Sequence, residues 1–106
     1  MNRAIVNTTF YVEKGFDIKF LWWVKNVYLA DVKPLEGKSV AKILTQTQEG
    51  TTSYAVRLEA RTLVEAMSWQ ENVAAPKLEK LAKVFGQHIL HFTTFMEEVS
   101  LNGIPD

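Results

Sequence analysis

The stretch KSVAKILTQTQEGTTSYAVRLEA, residues 38–60, decides the fold. It reads as two consecutive strands, one over residues 38–48 with SVAKILTQT at its centre and one over residues 52–60 containing SYAVRLEA, because β-branched and aromatic residues recur at period-two spacing. Glu49-Gly50 between them supplies a residue able to take positive φ, as a tight hairpin requires. A two-stranded hairpin is not stable alone, so the rest of the chain must complete its sheet.

Upstream, residues 3–13 form a further strand by the same composition: Ile5, Val6, Thr8, Thr9, Phe10, Tyr11 and Val12 crowd it, and Lys14-Gly15 ends it. Asp17 is placed to cap a helix over residues 18–31, with Phe20, Trp23, Val24 and Val27 on one stripe. Pro34 and Gly37 close the connection to the hairpin. Downstream, Thr62 and Glu65 make a capping box, and Leu63, Ala66, Met67 and Val73 suit the buried side of a second helix. Pro76 should break or restart that helix, since its ring lacks an amide donor and clashes one turn back. Leu78, Leu81, Ala82 and Phe85 then resume a helical stripe, and Gly86 suits its end. Residues 88–99 alternate as a last strand. The order is strand, helix, strand, strand, helix, strand. It predicts an α+β ferredoxin-like βαββαβ plait, a four-stranded antiparallel sheet with two helices on one face. Residues 1–99 would form a single ferredoxin-like domain and residues 100–106 a flexible C-terminal tail.

Composition narrows the function classes. The chain has 106 residues, twelve basic and twelve acidic side chains, and no cysteine. Zero net charge argues against general nucleic-acid binding, which needs surplus Lys and Arg to displace counterions. Lack of cysteine removes disulfides, thiolate zinc sites and thiol nucleophiles. The longest apolar run, residues 20–24, is too short to cross a bilayer, and the opening residues carry no apolar signal core. A soluble cytoplasmic protein with no membrane or nucleic-acid partner is the expectation. His88 and His91 stand three apart on an expected strand and so point to opposite faces, and no third histidine exists. No metal and no cofactor is expected. Gly37-Lys38-Ser39 mimics the end of a phosphate loop, but Val32 stands where its first glycine belongs. Lys77, Lys80 and Lys83 read as a solvated helix face.

Two helices cover one sheet face, leaving the other for water, a ligand or a second subunit. Placing the more apolar set of each strand under the helices leaves Ile5, Tyr11, Ile89 and Phe95 on the open face. With them come Asn7, Thr9, Arg57, Glu59, His91 and Thr93. The second strand can be turned either way. Arg57 and Glu59 would have to pair if that face were covered. This mixture predicts a homodimer joined through the open faces. The first helix is apolar on a second side, where Ile18, Trp22 and Leu29 alternate with Lys19, Lys25 and Asn26. Trp22 is expected to pack under the connection to the second strand or against the tail, or else to meet a partner.

The strand IVNTTFYV, the segment LWWVKNVYLADV, the arm GTTSYAVRLEA and the closing FGQHILHFTTFMEEV stand in an order that resembles a small bacterial family, domain of unknown function 4286, over about residues 3–99. The resemblance implies a dimeric α+β barrel in which two plaits press their open faces together. It implies no established reaction. The resemblance implies a His on the first helix where this chain has Tyr28-Leu29-Ala30. A role held by that His in relatives is either lacking here or taken by a phenol, which weakens the carry-over of a catalytic residue to this position.

The leading expectation is therefore a small homodimeric ligand-binding or structural module without an assigned reaction. The alternative is a cofactor-independent monooxygenase- or isomerase-like enzyme with a pocket at the open face. There His91 would act as base, Arg57 would stabilise an oxyanion, and Tyr11 or Asn7 would orient substrate. A small organic ligand would meet some of Asn7, Tyr11, Trp22, Tyr28, Arg57 and His91.

Overall fold

A computed structural model describes residues 3–30, 35 and 37–106. Strand β1 (Ala4–Glu13) leads into helix α1 (Asp17–Trp23), which widens into a π-helical segment (Val24–Tyr28). Strands β2 (Gly37–Ile43) and β3 (Thr51–Ala60) follow. Helix α2 (Leu63–Trp69), a second π-helical segment (Gln70–Ala74) and helix α3 (Ala75–Phe85) form one continuous helical run, and a short turn (Gly86–His88) delivers the chain to β4 (Ile89–Glu97). All three strand pairs are antiparallel, in the order β2-β3-β1-β4. This is the ferredoxin-like plait, one sheet backed by one helical layer.

The buried face carries Val6, Phe10 and Val12 of β1 and Tyr54, Val56 and Leu58 of β3, as alternation predicts. Phe20, Trp23, Val24 and Tyr28 close over it from the first helix, and Ala66, Trp69, Ala74, Leu78 and Leu81 from the second. The expected buried side of α2 is corrected here. Leu63 and Met67 are exposed, and Trp69 fills the space with its ring centroid 5.7 Å from that of Tyr28.

Thr62 caps α2 through Glu65 N–H to Thr62 Oγ1 at 3.1 Å, whereas the Glu65 carboxylate engages Arg61 at 2.8 Å. Asp17 is not the cap of α1. Phe16 occupies that position, and the Asp17 carboxylate accepts the Tyr54 hydroxyl at 2.7 Å. Pro76 does not break the second helix. The preceding turn widens by one residue, with Ala75 N–H reaching Gln70 O, which carries the carbonyls past the proline ring. The second strand ends at Ile43 instead of residue 48. Residues 44–50 form a longer loop in which both Gln46 and Gly50 take positive φ, so no two-residue hairpin forms. Position 31 and the connection through Pro34 lie outside the described residues.

Candidate ligand-binding sites

Directly opposed residues of an antiparallel pair share a side of the sheet, so register settles each face. On β4, Ile89 stands opposite Val12, His91 opposite Phe10, Thr93 opposite Thr8 and Phe95 opposite Val6. These four lie on the helix side, which corrects the expectation that His91, Thr93, Ile89 and Phe95 belong to the open face. Leu90, Phe92, Thr94 and Met96 take the open face instead, opposite Tyr11, Thr9, Asn7 and Ile5. Strand β4 is an edge that the helices cover incompletely: Ile89 is buried, while His91 stays half-exposed on the helix side. A polar residue is tolerated there because water still reaches it.

The six residues expected to meet a ligand therefore fall into three places. Asn7, Tyr11 and Arg57 remain on the open face, where Asn7 donates to Thr9 at 3.3 Å. Arg57 lies 3.6 Å from Glu59, which also takes Arg3 at 3.3 Å, so the charges on this face are paired as required. Tyr11 stacks on Phe92 with ring centroids 5.9 Å apart. The open surface is more apolar than alternation alone implies, since Leu90, Phe92 and Met96 all project from it with large exposed areas. Along β2, Ser39, Ala41 and Ile43 share this side, opposite Arg57, Ala55 and Ser53.

His91 and Tyr28 belong to the helix side. Tyr28 is fully buried, its hydroxyl 3.3 Å from Thr8 Oγ1, which in turn lies 2.9 Å from Thr93 Oγ1. Burial pushes the Tyr28 phenol above its ordinary range. The Phe10 ring stands between the two residues, its centroid 5.7 Å from Tyr28 and 5.8 Å from His91. Burial also holds the His91 imidazole below its usual pKa, favouring the neutral ring. His91 and Arg57 lie on opposite faces, so one protomer does not bring the expected base and oxyanion partner together.

Trp22 marks the third place. It is 63% exposed and lines a groove of about 670 Å³ on the outer surface, between α1 and α3. The floor is formed by Phe16, Trp23, Val27, Leu81 and Phe85, the walls by Ile18, Trp22 and Val84, and the only charges are Lys19 and Lys80. The helices run antiparallel here. Phe16 meets Phe85 edge-on at 6.3 Å at one end, and Lys77 Nζ donates to Val27 O at 2.7 Å at the other. Lys77 is thus more than a solvated charge: it satisfies carbonyls that the end of the first helix leaves open, Tyr28 O among them at 3.3 Å.

Sequence reasoning placed Lys19 beside Trp22 but missed Lys80 and Val84 as its neighbours. A signal was present, since Ile18 and Trp22 on one helix and Lys80 and Val84 on the other stand at i,i+4. It also missed the pairing of His88 with Glu13. His88 precedes β4, its Nδ1 lies 2.5 Å from Glu13 Oε2, and its ring stacks on Phe16 at 4.4 Å. That pair fastens the end of β1 to the start of β4. Among the described residues, no cluster of three or more acidic or histidine side chains is arranged to hold a metal ion, and no helix is long and apolar enough to cross a membrane.

The model of a family described as "Domain of unknown function (DUF4286)" matches residues 3–99. The chain belongs to this family. No curated protein matches it. Among solved structures, it is similar to two dimeric ferredoxin-like proteins from uncultured marine organisms. One has 14% identity and a TM-score of 0.62 over 92% of this chain and 95% of that chain. The other has 13% identity and a TM-score of 0.59 over 94% and 98%. A Bacillus cereus protein provisionally named an antibiotic biosynthesis monooxygenase is similar at 14% identity and a TM-score of 0.53, over 94% and 98%. At such identities the likeness is one of fold. The DUF4286 chain shares their fold without a shared reaction following from it.

Proposed function

We propose that this DUF4286 protein works as a homodimeric ligand-binding module, two protomers pressing their open sheet faces together. The observation that carries the reading is the apolar row Leu90, Phe92 and Met96 beside Tyr11, displayed on a sheet face that no helix covers. Phe92 alone is 50% exposed. A row of this kind is what a sheet-to-sheet interface buries, and the paired charges of Arg57 and Glu59 suit its rim. The two similar marine proteins are described as dimeric, which supports the same assembly here. The groove beside Trp22 is the concave, apolar feature that fits a small organic molecule. Native mass spectrometry tests the assembly. The wild type is expected at twice the 12.1 kDa chain mass, and Phe92→Glu at the single mass with its fold retained. A wild type that stays monomeric at micromolar concentration overturns the reading.

A second reading is favoured by the hydroxyl chain Tyr28–Thr8–Thr93 on the helix side near His91. A neutral His91 at the partly covered edge strand is suited to act as a base in a cofactor-independent oxygenase- or isomerase-like reaction, and the Bacillus cereus neighbour supports it by fold. Arg57 of the same protomer takes no part in it. Once a substrate is identified, unchanged turnover by His91→Ala removes that residue from catalysis.

A further inference from the structure

We propose that the groove between α1 and α3 takes a small carboxylic acid with an apolar body, its carboxylate met by Lys19 and Lys80. The inference rests on the ligand-binding reading above and names the class of ligand. Ten residues line the groove, and Lys19 and Lys80 are its only ionisable side chains. No carboxylate lines it, and neither lysine is in an ion pair among the described residues. An apolar trough with two uncompensated positive charges is complementary to a molecule with an apolar body and one negative head. Ile18 and Val84, 80% and 75% exposed, would be covered by the body, and Lys19 and Lys80, both exposed, line the same groove.

The size of the groove favours a free small molecule over a protein. Its volume of about 670 Å³ falls within the range of small-molecule sites, roughly 300–1,000 Å³. Its ten residues are well short of the roughly 20–30 that each side of a specific protein interface uses. The concave cross-section between two helices also suits a compact body better than a flat lipid surface.

The test uses octanoate and 1-octanol, titrated by calorimetry and by tryptophan emission, to which Trp22 and Trp23 of the groove contribute. The wild type is compared with the double variant Lys19→Met/Lys80→Met, which keeps the apolar stems and deletes the charges. Octanoate should bind the wild type and lose about tenfold in affinity in the double variant, as expected for a charge-assisted contact. Octanol affinity should stay unchanged between the two, and Val84→Glu should weaken octanoate. Equal octanoate affinity in wild type and double variant overturns the assignment. So does octanol binding as tight as octanoate in the wild type, which would still leave a ligand-binding module. Failure of octanoate to bind the folded wild type overturns it as well. Native masses of the same samples separate the proposals, since a monomer that binds octanoate in a lysine-dependent way sinks the dimer and keeps the carboxylate site.

Discussion

Asp17 and Tyr54 show how one hydrogen bond ties a helix start to the sheet beneath it. The Tyr54 hydroxyl, donating at 2.7 Å, is the main reason the Asp17 carboxyl sits below its ordinary pKa. Burial, reinforced by that carboxylate, pushes the Tyr54 phenol up to about 12. A carboxyl with a depressed folded-state pKa contributes stability above its unfolded value, 3.8, and loses it as pH falls through the folded one. Tyr54→Phe should therefore cost about 1 kcal/mol at pH 7, the net worth of such a bond. The difference should shrink toward zero in acid, below the carboxylate range. Urea midpoints of both proteins at pH 7 and pH 3 check this, and an equal gap at both pH values would refute the assignment. His91 follows the same direction for a different cause. Its imidazole is held low by burial, so it contributes stability above the unfolded value of 6.5 that is lost as pH falls through the folded pKa.

At the scale of elements, the first helix ends on a residue of the second. Lys77 Nζ reaches the carbonyls of Val27 and Tyr28, where the π-helical turn exposes them. Lys77→Met should cost about 1–2 kcal/mol, combining a lost charge-assisted bond with a helix end left unsatisfied. Hydrogen exchange should localise the effect to the amides of Val27 to Leu29, and uniform loosening of the whole chain would count against it. Element order and the strand cores were legible in the sequence, because Val6, Phe10 and Val12, or Val56 and Leu58, outweigh the more polar sets that alternate with them. The facing of β4 was not. Its two alternating sets are nearly matched in apolar content, and a shift of one residue exchanges them. Pairing with β1 across 85 residues, as in the contact of Thr8 with Thr93, decides the matter, and nothing local records it. Lys77 was equally opaque, since its capping contact joins two helices 50 residues apart. For the candidate sites, the six named residues were placed on the right elements but not in one locality. Trp22 was recognised as out of place on a core-facing helix, yet only the tertiary approach of α3 reveals the lysine opposite it.

The whole molecule is a slab 48 × 32 × 17 Å, thin because one sheet face has no second layer. If two slabs pair through that face, folding and association are linked, and stability must rise with protein concentration. The melting temperature of the wild type should increase by several degrees between about 1 and 100 μM, whereas that of Phe92→Glu should stay constant. A concentration-independent wild-type melt would mean that the face stays wet. Both open edges of the sheet, β2 and β4, bear on the same assembly. Lys38 and Lys42 along β2 discourage pairing to further strands, so growth by edge addition is blocked on that side while face-to-face pairing is left free.

The central position of β1 has a consequence for how the chain is made. Of the four strands of this sheet it is made first and is among the most buried, yet both of its neighbours come from later sequence. Ala4 pairs with Ala60 on one side and with Glu97 on the other. At roughly 5–20 residues per second, IVNTTFYV waits seconds for β3 to be synthesised, and seconds more with its other edge unpaired until β4 follows. Shelter by a chaperone at the exit tunnel would matter most during that interval, and truncation within β4 would leave the nascent chain in it permanently.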